Sequence, residues 1–217
     1  MSQFLLALDT ATSRTSVALL DGTKTVLELS GDGATSHGDV LPQLAEQVLK
    51  EISSKELNMI AVGIGPGPFT GLRVGIAFAN SMAWALGINA IGVCTLDALA
   101  HDYLSRNPDH VGHFAVATDA RRKEVYWARY ESDGSRQGEP IVAQAIDLSL
   151  DLLNLPTAGS GAALYPQHFL NHIEPIYPTA SAIGQLGLAK VERGDPISTE
   201  PLYLRRPDAV PSVTVVS

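Results

Sequence analysis

The chain has 217 residues, and its 15 Lys+Arg and 23 Asp+Glu give a formal net charge of −8 at pH 7. This length and a hydrophobic content of 45% predict one large domain or two small ones. The acidic balance argues against a stand-alone nucleic-acid binder, and the single cysteine, Cys94, excludes a disulfide framework within the chain. The N-terminus lacks the basic segment of a signal peptide, so we expect a soluble cytoplasmic protein.

The first half of the chain is predicted to be a β-meander followed by alternating helices and strands. Residues 4–8 form a near-continuous apolar strand that ends at Asp9, which indicates burial on both faces. Strands at 16–20 and 25–29 are joined by the hairpin signal Asp21-Gly22. The next predicted elements are a helix at 37–52, a strand at 60–64, a helix at 71–86, a strand at 88–93 and a helix at 95–105.

The helix at 71–86 is apolar on all sides, with Arg73 as its only charged residue. Such a helix in a water-soluble protein needs cover on more than one face. It is shorter than the roughly 20 apolar residues that span a membrane. Gly75, Ala79 and Ala83 recur at every fourth position and favour the close approach of another helix. Two interpretations remain open: the central helix of a large α/β core, or a helix that docks one face on a partner protein.

The turn at 65–69 carries only a weak nucleotide-binding signal. Thr70 replaces the third glycine of a dinucleotide-binding loop, and Pro66 and Pro68 lack the N–H groups that would bind a phosphate. We predict Thr70 instead as the N-cap of the helix that follows, and Thr95 as the N-cap of the next helix.

The second half repeats the opening pattern. A strand at 113–118 ends at Asp119, as the first strand ends at Asp9, and Asp133-Gly134 corresponds to Asp21-Gly22. This repeat indicates duplicated α/β halves with a cleft between them. The other elements predicted here are strands at 124–130, 139–142 and 173–177 and helices at 146–153, 162–169 and 180–192. We predict units at 1–106 and 107–206 and a loose tail at 207–217.

Several motifs resemble the bacterial TsaB (YeaZ) family of the actin-like, Hsp70-like and sugar-kinase-like superfamily. The most specific is Gly65-Pro66-Gly67-Pro68-Phe69-Thr70-Gly71-Leu72-Arg73. The others include Leu8-Asp9-Thr10, Ser36-His37, Leu41-Pro42, Asp119-Ala120-Arg121-Arg122 and Pro201-Leu202-Tyr203-Leu204-Arg205. The resemblance covers residues 4–206 and implies an α/β fold with two related actin-like (ribonuclease-H-like) subdomains, each a meander-led mixed sheet with flanking helices.

The resemblance implies a non-catalytic scaffold subunit that is a degenerate paralogue of the catalytic subunit TsaD. The family acts with TsaD and the ATPase TsaE to form N6-threonylcarbamoyladenosine at position 37 of tRNAs that read codons beginning with A. We then expect tRNA contact only through the complex, and a homodimer in the absence of TsaD. The partner surface is expected on the helices at 37–52 and 71–86, and its candidate residues are Leu41, Leu44, Val48, Val74, Ala77, Phe78 and Ser81.

The same resemblance bears on metals and nucleotides. TsaD carries an HxxxH metal pair, whereas His37 is here followed by Leu41 in the second position, so we expect neither a metal site nor a catalytic residue. The superfamily wraps a nucleotide phosphate in the first turn of each half. That turn has no glycine here, so Asp9, Thr10 and Thr12 are candidates for a weak nucleotide contact only, with ATP or ADP expected at most at the joint with TsaD.

Two other functions remain open. One is an autonomous nucleotide-binding kinase or ATPase of the actin-like fold. The other is a glycoprotease-like metallopeptidase, for which the sequence has no HExxH motif and no GxSxG motif. Direct tRNA contact by this chain would depend on cations that are equally typical of a solvated surface, namely Arg121, Arg122, Lys123, Arg205 and Arg206.

Overall fold

A computed structural model of the chain describes residues 3–32, 36–148 and 150–205, so the predicted tail at 207–217 lies outside the described residues. The helices and strands are β1 (Phe4–Asp9), β2 (Arg14–Asp21), β3 (Lys24–Asp32), α1 (His37–Leu49), β4 (Leu57–Gly63), α2 (Phe69–Leu86), β5 (Asn89–Val93), α3 (Thr95–Arg106), β6 (Phe114–Asp119), β7 (Glu124–Tyr130), β8 (Arg136–Gln144), α4 (Leu150–Leu153), β9 (Thr157–Ala158), α5 (Ser160–Leu164), β10 (His172–Ile173) and α6 (Ala180–Arg193). Two 3₁₀ turns, Ser54–Glu56 and Ala145–Asp147, precede β4 and α4.

Two five-stranded mixed sheets of the same design form the frame. Sheet I has the strand order β3-β2-β1-β4-β5, in which β1 to β3 are an antiparallel meander and β4 and β5 run parallel to β1. Sheet II has the equivalent order β8-β7-β6-β9-β10. The predicted α/β fold of two meander-led sheets is confirmed, and the aspartates that end β1 and β6 occupy equivalent positions.

The elements after β8 are shorter than the sequence pattern predicts. The strand predicted at 173–177 is only the two-residue β10. The helix predicted at 162–169 is the short helix α5, which ends at Leu164. Proline explains both differences. Pro166 disfavours a helical conformation at the residue before it, and Pro175 lacks the N–H that a strand needs to continue its ladder.

Two predicted helix caps are wrong. The N-cap of α2 is Pro68, so Thr70 lies exposed in the first turn of the helix. Thr95 is the first residue of α3, and its hydroxyl donates to the Asp9 carboxylate at 2.7 Å. The predicted end of α2 is confirmed, because Gly87 follows it in the left-handed conformation with φ 68°. The Thr95 hydroxyl thus forms a hydrogen bond with a distant residue, whereas the capping rule predicted a hydrogen bond with the backbone of its own helix.

The row of small residues on α2 faces the protein's own sheet. Gly75, Ala79 and Ala83 are buried against sheet I. A Cβ atom at Gly75 would lie 2.3 Å from Oγ1 of Thr10, and the Thr10 hydroxyl donates to the Gly71 carbonyl at 2.7 Å. The prediction that this row admits another helix is therefore wrong, because it admits the end of β1.

The last helix, α6, packs on sheet I although it lies in the second half of the sequence. Leu6 of β1 packs on the side of α1 and α2, and Leu5 packs on the side of α6. The close approach of α6 requires a glycine, since a Cβ at Gly184 would lie 2.8 Å from Leu20. The division of the chain at residue 107 remains a prediction, but in space α6 lies with the first sheet.

A buried hydrogen-bond junction, made by Asp9, Thr95 and Gly65, joins β1 to the 65–69 turn and α3. Asp9 is 1% exposed, and it accepts hydrogen bonds from the Ala11 N–H at 2.9 Å and the Thr95 hydroxyl at 2.7 Å. Oγ1 of Thr95 in turn accepts from the Gly65 N–H at 3.2 Å. Burial raises the pKa of Asp9 to about 6, against the lowering effect of these hydrogen bonds.

This junction predicts a pH dependence of stability. The pKa of Asp9 rises from 3.8 to about 6 on folding, so the folded chain holds the proton more tightly. That stabilisation is complete below about pH 4 and is lost as the pH rises through about 6, a change of ~3 kcal/mol. Asp9→Asn cannot ionise. The free energy of unfolding of the wild type, measured in urea, should therefore fall by about that amount relative to the variant between pH 4 and 7.

Asp109→Asn serves as the control because Asp109 is exposed in the loop before β6. Its urea curves should follow those of the wild type at each pH. Parallel pH profiles for Asp9→Asn and the wild type would contradict the assignment of a raised pKa to Asp9.

Candidate functional site

Two polar cavities adjoin at the ends of β1 and β6, between the two halves of the chain. The smaller, about 140 Å³, lies between the turn after β1 and the turn after β6. The larger, about 450 Å³, opens beside the first turns of α1 and α2. Thr12, Ser13, Pro68 and Arg121 line both cavities. The predicted cleft between the halves is therefore present, and it is small and polar.

The structure does not bring the three predicted nucleotide contacts to one open site. Asp9 is enclosed in its junction, and a Cβ at Gly63 would lie 1.8 Å from its Oδ2. Thr10 is buried, and its hydroxyl donates a hydrogen bond to the Gly71 carbonyl. Thr12 does line the cleft, but its Oγ1 accepts from the Arg14 N–H at 3.2 Å. Of the three, only Thr12 lines either of these two cavities, and the nucleotide contact remains a prediction.

The second half contributes cleft residues that sequence reasoning missed. Ser160 accepts from the Asp119 N–H at 3.3 Å, and the Ser13 hydroxyl donates to that of Tyr177 at 3.1 Å. The repeat in the sequence identified Asp119 as the counterpart of Asp9. No local signal marks Ser160 or Tyr177, because each reaches the cleft only through contacts between distant parts of the chain.

His37 is held by a neighbouring strand. Its Nδ1 lies 2.8 Å from Oγ1 of Thr15, and burial lowers the pKa of the imidazole. Leu41, one turn along α1, is fully buried in the core. In the described ranges, no group of three or more His, Cys, Asp or Glu side chains is placed to hold a metal ion.

The predicted partner surface divides into a buried and an exposed part. Leu41 and Val48 are fully buried, because the inner side of α1 packs on sheet I. The prediction that these two residues contact a partner is therefore wrong. Leu44, Val74 and Phe78 are half-buried, and Ala77 and Ser81 are exposed. The role of these residues in partner binding remains a prediction.

Sequence reasoning missed Trp84, which is 87% exposed on α2. The signal was available, because positions 77, 81 and 84 recur at the helical spacing that places residues on one face.

Over the described residues, the structure has no helix with the length and hydropathy of a membrane span.

Comparisons with known proteins agree with this geometry. A family model described as "TsaD: tRNA N6-adenosine threonylcarbamoyltransferase" matches residues 32–185. TsaB of Haemophilus influenzae, a tRNA threonylcarbamoyladenosine biosynthesis protein, is 30% identical over an alignment of 223 positions that covers 93% of each chain. An uncharacterised protein of Mycobacterium leprae is 41% identical over 95% of this chain, which spans only 56% of that protein's length.

The same resemblance extends to solved structures. The crystal structure titled "YeaZ from Pseudomonas aeruginosa" superposes with a TM-score of 0.78 at 28% identity, covering 93% of this chain and 100% of that one. With a matching family model over most of its length and a TsaB relative matched nearly end to end, the chain belongs to the TsaB (YeaZ) family, whose fold is actin-like.

Proposed function

We propose that the chain is a non-catalytic scaffold subunit that acts with TsaD and the ATPase TsaE to form N6-threonylcarbamoyladenosine at position 37 of tRNAs reading codons that begin with A. The names of its relatives support the pathway, since one is a tRNA threonylcarbamoyladenosine biosynthesis protein and the family model describes a threonylcarbamoyltransferase. In this proposal tRNA is met within the complex, and two copies of the chain associate through the same surface when TsaD is absent.

The observation that carries the proposal is the uncovered outer face of α2. Ala77 and Ser81 are exposed, Val74 and Phe78 are half-buried, and Trp84 is 87% exposed. Tryptophan is among the residues that contribute most when buried in an interface, and small neighbours let a partner helix approach closely. The inner face of α2 is already covered by sheet I, so the outer face is the one left for TsaD.

The Asp9 junction supports a role without catalysis. Asp9 and Thr10 direct their polar atoms into intramolecular hydrogen bonds rather than into the cleft. Burial raises the pKa of the Cys94 thiol to about 12, so this residue is not a thiolate nucleophile near neutral pH. Asp9, Thr10 and Cys94 are thus not presented to a substrate in the cleft.

Ala77→Arg should abolish TsaD binding while the chain stays folded, because residue 77 faces water in the free protein. In the complex the new guanidinium would be desolvated without a partner, which costs ~3 kcal/mol or more and lowers affinity over 100-fold. Calorimetry with TsaD from the same organism measures the affinity, and modification of a tRNA transcript with and without this chain measures the activity.

The matched control is Val111→Arg, since Val111 is an 85% exposed apolar residue in the loop before β6, away from α2. It should bind TsaD as the wild type does. Trp84→Ala should weaken binding by ~2 kcal/mol. A folded Ala77→Arg chain with wild-type affinity for TsaD would refute this placement of the partner surface.

The isolated chain should bind ATP·Mg²⁺ only weakly. Of the predicted contacts only Thr12 lines one of the two described cleft cavities, and the two prolines of the 65–69 turn offer no N–H to a phosphate. Calorimetry is expected to give a dissociation constant above about 100 µM, equivalent to ~5.5 kcal/mol of binding free energy. Micromolar binding accompanied by turnover would favour an autonomous kinase or ATPase instead.

A further inference from the structure

The turn after β6 displays cations on a backbone that residues with a Cβ atom rarely adopt. Arg121, Arg122 and Lys123 have φ of 63°, 54° and 66°, and all three are exposed. Left-handed conformations are costly for residues other than glycine, and three in succession persist only where the surroundings hold them. The contacts that hold this turn therefore also fix where its cations point.

Neighbouring residues hold the turn from both ends. Asp119 accepts from the Arg121 N–H at 2.8 Å, and the Glu124 N–H donates to the Arg121 carbonyl at 2.9 Å. Arg205 donates to the Ala120 carbonyl at 3.2 Å and forms an ion pair with Glu124. The Arg121 side chain lies 3.4 Å from Asp119 but remains 59% exposed, so this surface pair leaves it available to a ligand.

An exposed aromatic stack lies on two segments whose neighbouring residues, Pro68 and Arg205, share a cavity with Arg121 or hydrogen-bond to Ala120. The rings of Phe69 and Tyr203 are 39% and 41% exposed and stack with centroids 5.2 Å apart at 29°. The Arg73 guanidinium lies 3.9 Å from the Phe69 centroid. Tyr203 is only two residues before Arg205, at most ~7 Å along the chain. Pro68, next to Phe69, and Arg121 line the same cleft.

We name the five residues Phe69, Arg73, Arg121, Lys123 and Tyr203 the cation–aromatic patch. We propose that this patch contacts an unpaired stretch of tRNA, with the cations on phosphates and the Tyr203 ring against an unstacked base. Exposed aromatic rings beside cations are the usual surface for single-stranded RNA, because every base has a face that can stack. The choice of tRNA as the RNA depends on the proposed function.

The net charge of −8 keeps this contact weak in the isolated chain, since the rest of the surface repels phosphate. The patch then adds to tRNA binding once a partner subunit brings the tRNA near. An acidic protein segment is the rival ligand for the cations, but it offers nothing for the aromatic stack to bind.

The test measures binding of a fluorescently labelled tRNA transcript by anisotropy, with the full chain at up to about 100 µM, since weak phosphate-driven binding has dissociation constants of 10⁻⁴–10⁻⁶ M. Arg121→Gln with Lys123→Gln should weaken binding at least about fivefold and lower the salt slope by about 1.5. Tyr203→Ala should weaken it about tenfold, whereas Tyr203→Phe keeps the stack and retains affinity.

The matched control is Lys24→Gln with Lys55→Gln, which removes the same charge from exposed positions at the opposite end of sheet I. It should bind tRNA as the wild type does. The proposal is overturned by no binding at about 100 µM, by equal losses in both double variants, or by polyglutamate competing as well as single-stranded polyuridylate. TsaD binding is measured separately on the same variants and should be unchanged, so failure of the scaffold proposal is distinguishable.

Discussion

The hydrogen bond from the Thr95 hydroxyl to the buried Asp9 carboxylate is the contact on which the rest of the architecture depends. It fixes the end of β1 against the start of α3, and through Gly65 it also fixes the turn that leads into α2. A carboxylate at a strand end between two halves is well placed to serve a ligand. Here the protein itself supplies the hydrogen-bond donors to Asp9, so this position has a structural role. The polar groups that line the smaller cavity are hydroxyls, the Asp119 carboxylate and the Arg121 guanidinium.

The cleft between the two halves and the outer face of α2 are two distinct surfaces of the chain. The cleft is small, and several of its polar groups form hydrogen bonds with one another. The outer face of α2, in contrast, exposes a tryptophan and small residues to water. Exposed apolar area of this kind is costly unless something covers it. The outer face of α2 is thus an apolar surface that the described part of the chain does not cover, and on it the proposed role in assembly depends.

The sequence was enough to predict the sheets, the duplicated aspartates and the long helices, because periodicity and turn signals are local properties. It failed where a distant contact decided the outcome. The sequence predicts Thr95 as a helix cap, but its hydroxyl forms a hydrogen bond with Asp9. The sequence also predicts that the small residues of α2 face another helix, but they face Thr10. Leu41 and Val48 share helical spacing with half-buried Leu44, yet only packing shows which of these side chains face fully inward. Tyr177 reaches the cleft from a segment with no motif.

The return of α6 to the first sheet has a consequence for how the polypeptide is made. Leu5, Ala7 and Ile91 lie under α6, which is among the last parts of the described chain to be synthesised. A ribosome-bound nascent chain that ends before residue 180 must therefore leave one side of its first sheet bare while the second sheet is already complete. Such an apolar side is prone to aggregation, and the synthesis and docking of α6, rather than completion of the first half, is the step that covers it.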